Sequence, residues 1–467
     1  MSFLDEDYLL ESDIASSLYD SVKDLPIVDS HSHADVPEIV DNEGWNDIWQ
    51  VEGATDHYVW ELMRRRGVPE REITGDAPDK KKWFALAEVF PDFVGNPTYE
   101  WVHLDLKRRF GIEKTISGDT AAEIWEETSS ALSREEMKPQ SLLKEMNVEA
   151  ICSTDEPTSD LSYHERAADE LEGIKILPTW RPDRLLKIEG DSWLSAVQEL
   201  GRSTGRDTAN FEGFLQALEE THDYFDRHGC LASDHGLNKA LSKPVGFAEA
   251  RDVFQKALRG EELGQEEIES FKAFLLYRCG KMNEESGWVT QLHIGPVRNY
   301  RRSLYGELGA DAGGDVGKVN LDITENLRYF LNAFDGNLEI VLYYIDPAHL
   351  PAMATLARAF PNVSLGAPWW FNDSPYGIGE QFDRLSTIDL WANHAGMVSD
   401  SRKLLSYGSR IEMFRRTVCN SLARLVRRGQ APYGPVERVA KSVSYDRPRK
   451  LFGFDEISKG DVRGKDE

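Results

Sequence analysis

The chain has 467 residues, of which 40% are hydrophobic and 12 are tryptophan, a composition typical of a folded, enzyme-sized protein and not of a disordered one. Its 81 acidic and 54 basic side chains give a net charge of −27, which argues against a nucleic-acid partner because phosphate binding needs a concentrated positive surface. Because the acidic residues are spread along the chain, we expect a halophilic source, with an ordinary acidic protein of the cytosol as the alternative.

The cysteines and the amino terminus indicate the compartment. The four cysteines lie far apart and form no CxxC pair, so they favour a reducing compartment over a disulfide framework. The first residues, MSFLDEDYLL, lack the basic region and apolar run of a signal peptide. No stretch reaches the roughly 18 apolar residues of a membrane span. We therefore predict a cytoplasmic protein that contacts no membrane.

The first predicted strand, at 27–29, ends in the sequence DSHSH. His31 and His33 stand two residues apart, and because side chains alternate in an extended segment, both imidazoles point the same way. Two imidazoles that converge at a strand end can hold one divalent metal. For an isolated His-x-His, the alternative is a pair of solvated histidines in a polar turn.

Residues 37–147 follow this strand as a long predicted helical insertion. Amphipathic helices are indicated by WNDIWQVEGATDHYVWELMRRRGV, KKKWFALAEVF and EWVHLDLKRRFGI. Large helical insertions at the end of a barrel strand commonly serve as lids or pocket walls, so we expect this segment to cover a site.

Short apolar runs bounded by Asp, Pro or Gly recur along the chain, and we predict eight strands, at 27–29, 148–152, 174–179, 229–233, 288–294, 338–344, 363–367 and 396–399. Helical segments such as ENLRYFLNAF and RIEMFRRTVCNSLARLVRRG separate them. This alternation predicts an α/β fold, a closed parallel (β/α)8 TIM-type barrel with large helical insertions after the first and fourth strands. The alternative is an open doubly wound sheet, but that fold typically has a glycine-rich phosphate-binding turn after its first strand, where this chain has histidines.

The same pattern divides the chain into segments. Residues 1–36 are predicted to contain an amino-terminal segment and the first barrel strand, and 37–147 the insertion. The remainder of the barrel is predicted at 148–430, with a second helical insertion at about 237–287. Residues 431–467, which end KGDVRGKDE, are predicted to be a polar, loosely held tail. The long helical insertions offer ample surface for self-association, so we expect a homo-oligomer.

In a parallel barrel the active site lies at the carboxyl ends of the strands, so candidate residues can be located by position. Polar and aromatic side chains follow every predicted strand: His31 and His33; Ser153, Thr154 and Asp155; Arg181 and Asp183; Asp234 and His235; His293, Arg298 and Asn299; Tyr344 and Asp346; Trp369 and Trp370; and Asp400 and Arg402. A ring so rich in His, Asp and Arg is hard to explain by packing.

Each of these side chains has an ordinary alternative when it is taken alone. His293 ends an apolar strand, where a satisfied core histidine is common. Asp400 and Arg402, in SDSRKLL, are consistent with an ion pair at a capped helix start. The adjacent tryptophans are consistent with core packing, and His57 and Tyr58, in TDHYVW, with one face of a helix.

A first-strand His-x-His with an Asp after the last strand resembles the amidohydrolase superfamily, and the chain is similar to its uronate isomerase (glucuronate isomerase) family. The matching stretches are DSHSH, TDHYVW, HLDLKRRFGI, STDEPTSDLSYH, LPTWRPD, ASDHGL, HIGPVRN, WWFND and SDSRKLLSYGSRIEMFRR. They run from residue 29 to about residue 416, which is most of the chain.

The resemblance implies a reversible conversion of an aldohexuronate into its ketose, D-glucuronate to D-fructuronate or D-galacturonate to D-tagaturonate. Such a reaction moves a proton between two carbons through an enediol and needs a base, a polarising group and a dry pocket. A divalent metal on His31, His33 and Asp400, with zinc favoured over manganese or iron, would hold or polarise the substrate oxygens. Asp400 would also move the proton.

The remaining roles follow from position in the matched stretches. Tyr58 resembles the tyrosine that assists proton transfer, and Arg402 the arginine that partners the last-strand carboxylate. Arg181 or Arg298 offers the bidentate fork that a substrate carboxylate needs. The other candidates are Trp369 and Trp370 as walls for the sugar, and His57, His235 and His293 for hydroxyl contacts or proton transfer, with His293 assigned to catalysis.

Two departures from the family pattern leave the exact sugar open. Val59 and Glu61 stand where basic residues are expected after DHY, and Gly295 and Pro296 replace the more usual serine and alanine. The alternatives are a metal-dependent hydrolase of the same superfamily, acting on an amide or lactone, and a non-catalytic sugar-binding barrel. The sixth predicted strand ends in tyrosine where two-metal hydrolases often have histidine, and the many ionisable side chains exceed what a binder needs.

Overall fold

The computed structural model describes residues 3–455, and within them the chain forms nine β-strands. In chain order they are β1 Ile27–Asp29, β2 Val148–Cys152, β3 Lys175–Leu177, β4 Ala232–Leu237, β5 Val289–Ile294, β6 Pro296–Val297, β7 Val316–Gly317, β8 Ile340–Tyr344 and β9 Val363–Leu365. All except β6 and β7 overlap strands predicted from the sequence. Those two form a short antiparallel ribbon.

Two parallel sheets position the site. One has the strand order β1-β2-β3 and the other β4-β5-β8-β9. Isolated parallel bridges join Trp180 to both Asp155 and Ser233, so the segment after β3 connects the two sheets. Because parallel strands of one sheet end at the same edge, the residues that follow β5 and β9 can meet. Residues 395–401 connect β9 to the end of β1 through backbone hydrogen bonds. The predicted α/β class with parallel sheets is confirmed.

Residues 395–401 occupy the position of the eighth predicted strand. The structure assigns no strand to 396–399, so that part of the prediction is wrong. The Ala395 N–H donates to the carbonyl of Leu365 in β9 at 2.8 Å, and the Asp400 N–H donates to the His31 carbonyl at 3.2 Å. The His33 N–H donates to the Ser401 carbonyl at 3.0 Å. These backbone bonds bring both histidines beside Asp400.

The described residues also contain 21 α-helices. Those from the amino terminus through the insertion are α1 Asp13–Asp20, α2 Val36–Asp41, α3 Ile48–Glu52, α4 His57–Arg65, α5 Asp79–Val89, α6 Pro97–Phe110, α7 Ala121–Leu132 and α8 Pro139–Glu145. The others are α9 Ser162–Glu170, α10 Asp183–Leu186, α11 Trp193–Thr204, α12 Phe211–Arg227, α13 Phe247–Leu258, α14 Gln265–Ser286, α15 Arg302–Leu308, α16 Ile323–Ala333, α17 Leu350–Ala359, α18 Pro375–Ile388, α19 Ser406–Arg427, α20 Tyr433–Lys441 and α21 Arg447–Leu451. None of these helices is both long enough and apolar enough to cross a membrane.

The insertion helices are fixed by local sequence and by a core of their own. The Asp56 carboxylate accepts the Tyr58 N–H at 2.9 Å and caps the start of α4. α6 ends at Gly111, whose φ of +69° suits a residue without a β-carbon. Helices α3 to α7 bury a separate hydrophobic cluster that includes Trp49, Trp83 and, from α4, Val59 and Met63. Packing therefore fixes the position of α4, which carries two candidate site residues.

The carboxyl-terminal segment differs from the predicted loose tail. A π-helical turn, Ser442–Asp446, joins α20 to α21, and the rings of Phe452 and Phe454 are buried. Both belong to a hydrophobic cluster with Ala150 and Cys152 of β2, because apolar side chains interrupt the polar sequence at this point. The ending KGDVRGKDE lies outside the described residues.

Two buried histidines are locked in the neutral form by the backbone. The Ile116 N–H donates to Nε2 of His103 at 2.9 Å, and the Gly396 N–H donates to Nδ1 of His394 at 3.0 Å. Protonation of either acceptor nitrogen would break its hydrogen bond. Burial lowers the pKa of His103 to about 4 and that of His394 to about 3.

The free energy of unfolding is therefore expected to fall as the pH falls below about 6.5, the ordinary pKa of histidine in the unfolded chain. Between that pH and the lowered pKa values the unfolded chain binds more protons than the folded one, so acid destabilises the fold by about 2 kcal/mol for each histidine at pH 5. The test is denaturant unfolding at pH 7.5 and pH 5.

The control is a double variant, His103→Gln with His394→Asn, in which an amide oxygen takes the place of each imidazole nitrogen that accepts a backbone N–H. Its stability should change less between the two pH values than that of the wild type. An equal change in both proteins would show that these histidines do not carry the pH dependence.

Candidate active site

Three side chains converge at the carboxyl end of β1. Oδ1 of Asp400 lies 3.0 Å from Nε2 of His31 and 3.2 Å from Nε2 of His33. The backbone explains this convergence, because Oδ1 of Asp29 accepts the N–H groups of His31 at 3.3 Å and Ser399 at 3.1 Å. Two imidazoles and one carboxylate are ligand types that a divalent metal accepts, and this cluster is one of two such groups in the described residues.

Asp400 is held in an uncommon conformation. Its φ of +48° lies in the left-handed region, which non-glycine residues adopt mainly where the surrounding structure enforces it. The indole N–H of Trp369 donates to its Oδ2 at 2.7 Å. Burial opposes ionisation, but hydrogen bonds from His31 and His33 outweigh it and hold the pKa of Asp400 well below its usual range. Asp400 is therefore an ionised carboxylate, the form that accepts a proton.

A second cluster adjoins the first and shares His31. Oδ1 of Asp234 lies 2.6 Å from Nδ1 of His293, and its Oδ2 lies 4.0 Å from Nδ1 of His31. The His293 ring stacks on Tyr343 with centroids 4.1 Å apart. Within residues 3–455, Nδ1 of His31 and Nε2 of His293 have no hydrogen-bond partner, so both are available to a ligand.

The structure gives Arg181 a different role from the predicted carboxylate clamp. Its Nε lies 3.1 Å from Oδ2 of Asp234 and 3.2 Å from Oδ2 of Asp183. The guanidinium is thus committed to two carboxylates, and Asp234 is fully buried. Arg181 therefore neutralises the buried Asp234 instead of offering a free fork to substrate.

Helix α4 supplies Tyr58 and His57. The Tyr58 hydroxyl donates to Oδ2 of Asp373 at 3.0 Å, and its ring meets Trp101 edge to face. The His57 ring packs edge-on against Trp370 with centroids 5.6 Å apart. Burial lowers the pKa of His57 to about 4, so this imidazole is neutral and has one donor and one acceptor nitrogen.

Trp369 and Trp370 connect the cluster of His31, His33 and Asp400 to Arg298. Trp370 adopts a φ of +54°, and the guanidinium carbon of Arg298 lies 4.5 Å from the centre of its ring. The Arg298 side chain is 32% exposed and pairs with Asp315 through Nη1 at 3.1 Å. Its other nitrogens remain able to donate, so Arg298 keeps the character expected of an anion-binding arginine.

Arg402 was predicted to partner the carboxylate of Asp400. In the part of the chain that the structure describes, its ion pair is with Asp311 instead, between Nη2 and Oδ1 at 3.7 Å. Electrostatic attraction to Arg402, Arg298 and His33 overcomes the effect of burial and lowers the pKa of Asp311. The loop carboxylate of Asp311 is therefore attracted by both partly exposed arginines, Arg402 and Arg298.

His235 is not brought to the site. Strand β4 spans Ala232–Leu237 instead of the predicted 229–233, so Asp234 and His235 lie within the strand and point to opposite faces. His235 is fully buried, and its Nε2 forms a hydrogen bond of 2.9 Å with Ser233. The predicted substrate contact of His235 is therefore wrong, because the strand register turns its ring away from Asp234.

Sequence reasoning gave no role to four residues that support the site. Asp234 was recognised only as a strand-end residue, and Asp373 stands in the quoted stretch WWFND. Lys403 and Arg410 stand in SDSRKLLSYGSR. The charged residues were visible in these stretches, but their partners are remote in sequence, so the buried ion pairs could not be identified.

Lys403 joins the insertion to the segment that carries Asp400. Its Nζ lies 2.9 Å from Oε2 of Glu52 and 3.1 Å from Oδ2 of Asp56, and all three side chains are at most 4% exposed. Asp105 of α6 also interacts with this ammonium group. Because Asp56 caps α4, the cluster ties the helix of Tyr58 and His57 to the Asp400 loop.

The glucuronate isomerase family matches the chain over residues 1–452. The uronate isomerase of Thermotoga neapolitana is 56% identical over 450 residues, which cover 96% of this chain and 99% of that protein. The uronate isomerase of Oceanobacillus iheyensis is 34% identical over 98% of this chain and 99% of its own length.

A solved structure agrees over the same extent. The crystal structure of the uronate isomerase from Thermotoga maritima has a TM-score of 0.95 and 56% identity, with 97% of this chain and 100% of that chain covered. The glucuronate isomerase from Caulobacter crescentus has a TM-score of 0.94 and 26% identity, with 97% of this chain and 98% of that chain covered. Family, relatives and fold therefore agree.

Proposed function

The chain belongs to the glucuronate isomerase family and isomerises a uronate, and we propose that it converts D-glucuronate to D-fructuronate, D-galacturonate to D-tagaturonate, or both. The observation that carries this proposal is the position of Asp400, an ionised and immobilised carboxylate, beside two imidazoles. A fixed base, nearby hydroxyl and guanidinium groups, and a largely buried setting are what enediol chemistry requires.

The proton transfers of the reaction match the available groups. Asp400 removes the proton from C2, and the Tyr58 hydroxyl protonates the carbonyl oxygen on C1, which gives the enediol. Asp400 then returns a proton to C1 while the C2 hydroxyl gives its proton back to Tyr58, so no net charge or proton is gained. Arg402, which holds Asp311 only at 3.7 Å, is free to stabilise charge on the enediol oxygens.

The donor atoms at the end of β1 fit a divalent metal. His31, His33 and Asp400 would hold it through Nε2, Nε2 and Oδ1, three atoms that already converge. When bound, the metal supplies Lewis-acid charge to the sugar oxygens. Imidazole and carboxylate ligands suit zinc, manganese or iron, and of these we propose zinc.

Replacing Arg298 with methionine is expected to raise KM for the uronate by about 10- to 100-fold with little change in kcat. A charge-assisted hydrogen bond to the substrate carboxylate contributes about 1.5–3 kcal/mol to binding of both ground state and transition state. Steady-state kinetics measure this split.

Exposed Arg302 is the matched control, and Arg302→Met should leave KM unchanged. Arg181→Met should instead lower the thermal midpoint, because it leaves Asp234 buried without its counter-ion. If Arg298→Met has the KM of the wild type, Arg298 is not the clamp.

We propose that the two sheets close into one eight-stranded barrel. Support comes from the two places where the sheets adjoin. Trp180 bridges from the segment after β2 to β4, and residues 395–401 form backbone hydrogen bonds with β9 and with the end of β1. In this arrangement residues 395–401 complete the ring and place Asp400 next to the first strand.

The predicted cytoplasmic location and self-association also remain proposals. All four cysteines are free and buried, which is consistent with a reducing compartment. Tyr376 and Leu390 are 80% and 65% exposed, so apolar side chains are available to a second copy of the chain.

Initial rates with D-glucuronate and D-galacturonate at equal concentration decide which uronate is the substrate. We expect ketose from at least one of them. A panel of amides and lactones in the same assay covers the hydrolase alternative.

A further inference from the structure

We propose that Asp373 is a positioning residue that orients the Tyr58 hydroxyl and stores the proton that Tyr58 exchanges with the substrate. This inference rests on the proposed isomerisation and adds to it a group that does not itself touch the sugar.

Three side chains from separate parts of the chain, Tyr58, Asp373 and Arg410, contact one another. Oδ2 of Asp373 accepts the Tyr58 hydroxyl at 3.0 Å and the Nη1–H of Arg410 at 2.9 Å. The side chains of Asp373 and Arg410 are 5% and 1% exposed, so water does not compete for these bonds. Asp373 and Tyr58 are 315 residues apart in sequence, and a contact so remote persists only because the fold enforces it.

Arg410 links this contact to the base. The same Nη1 group donates to the carbonyl of Ser399, the residue before Asp400, at 2.9 Å. Its guanidinium carbon lies 4.9 Å from the centre of the Tyr58 ring and 3.9 Å from that of Trp101. One buried cation therefore fixes the distance between the two groups that move protons.

The groups that act on the Asp373 carboxyl come from each element packed against it. They are Tyr58 from α4, Arg410 from α19 and, through space, Asp400. Burial raises the pKa of Asp373 to about 7; Asp400 adds to this effect, whereas Arg410 and Tyr58 oppose it. At neutral pH the carboxyl therefore exchanges its proton without a large free-energy difference between the two forms.

The proton transfers balance over one turnover. In the first half, Asp400 takes the C2 proton and the Tyr58 hydroxyl gives its proton to the C1 oxygen. The protonated Asp373 carboxyl then becomes the donor of the hydrogen bond to Tyr58 and re-protonates the Tyr58 oxygen. In the second half, the C2 hydroxyl proton passes to Tyr58 and from Tyr58 to Asp373, while Asp400 gives its proton to C1. Both carboxyl groups end in their starting states.

Replacing Asp373 with asparagine separates geometry from proton storage. The amide oxygen of Asn can accept the same two hydrogen bonds, but the amide cannot release and regain a proton. We expect kcat to fall by about 100-fold with KM within about 3-fold of the wild type. In a Tyr58→Phe background the same substitution should have no further effect on kcat, because Asp373 acts through Tyr58.

Glu412→Gln is the matched control, since Glu412 lies on the same helix as Arg410 and forms ion pairs with Arg108 and Arg416. It should keep the kcat of the wild type. An Asp373→Asn protein that is folded and turns over at the wild-type rate overturns the proposal, as does a multiplicative loss in the double variant.

The pH profile of the wild type gives a test that needs no variant to fold. Because the protonated carboxyl starts the cycle, kcat/KM should decline as the pH rises through about 7, the pKa of Asp373, and a level profile from pH 6 to pH 9 would overturn the proposal. A wild type that converts no uronate refutes the proposed function itself, whereas an active wild type with an equally active Asp373→Asn variant refutes only this inference.

Discussion

Replacing Asp400 with asparagine is expected to lower kcat by about 1,000-fold or more while the fold stays intact. The substitution removes the carboxylate charge that lies beside Nε2 of both His31 and His33, and general-base catalysis by a positioned group is worth about 10²–10⁴ in rate. The amide oxygen can still accept the Trp369 indole N–H, so the strained loop keeps its hydrogen bond. Steady-state kinetics with a uronate and the thermal midpoint measure the two effects separately.

Asp383→Asn is the control, because the Asp383 side chain is 59% exposed and lies on α18. Elemental analysis of both proteins distinguishes loss of a metal ligand from loss of the base alone. An Asp400→Asn protein that keeps more than a tenth of the wild-type kcat would remove Asp400 from the proton transfer.

Replacing Lys403 with methionine is expected to destabilise the protein by about 3–5 kcal/mol, because it leaves the carboxylates of Glu52 and Asp56 buried without a counter-ion. Burial, together with the charge of Glu52, raises the pKa of Asp105 well above its usual range, and this third carboxyl group supplies no positive charge that could replace Lys403. Denaturant unfolding at pH 7.5 measures the loss.

Lys441→Met is the control, since Lys441 and Glu437 form an exposed pair on α20, and such pairs contribute at most about 1 kcal/mol. Adding Glu52→Gln to Lys403→Met should restore part of the stability by removing one unpaired charge. A loss below about 1 kcal/mol for Lys403→Met would show that the buried cluster does not hold α4 to the Asp400 loop.

The convergence of His31, His33 and Asp400 could be predicted because local rules determine it. Alternation along an extended segment puts His31 and His33 on one side, and the carboxyl ends of parallel strands meet at one edge. The position of Asp400 followed from the order of the apolar runs along the chain, although 396–399 form no strand and the backbone hydrogen bonds of this segment involve residues 395, 400 and 401. The location of this segment between β9 and β1 therefore mattered more than regular strand pairing.

The roles of the arginines could not be predicted from sequence. Arg181 and Arg298 both follow strands, and only the fold shows that Arg181 meets Asp234 while Arg298 lies over Trp370. Whether an arginine is free depends on carboxylates that are remote in the chain. The same applies to Arg402, whose partner Asp311 is 91 residues away in sequence.

His235 shows how a small error in a strand boundary changes a site. A shift of the fourth strand from 229–233 to Ala232–Leu237 moves Asp234 and His235 from a loop into the strand. Adjacent strand residues face opposite sides, so only one of the two can reach the interior of the site. Polar residues inside a buried strand give no apolar run to mark the true boundary.

The most direct test of uronate isomerisation at this site is a proton NMR time course of D-glucuronate and of D-galacturonate with a catalytic amount of the purified protein in D2O. Isomerisation through an enediol predicts that the C2 proton signal of at least one aldose decays as ketose signals grow. Asp400→Asn should show neither change. Unchanged aldose spectra for both uronates, together with opening of a lactone or amide by the same protein, would contradict this function.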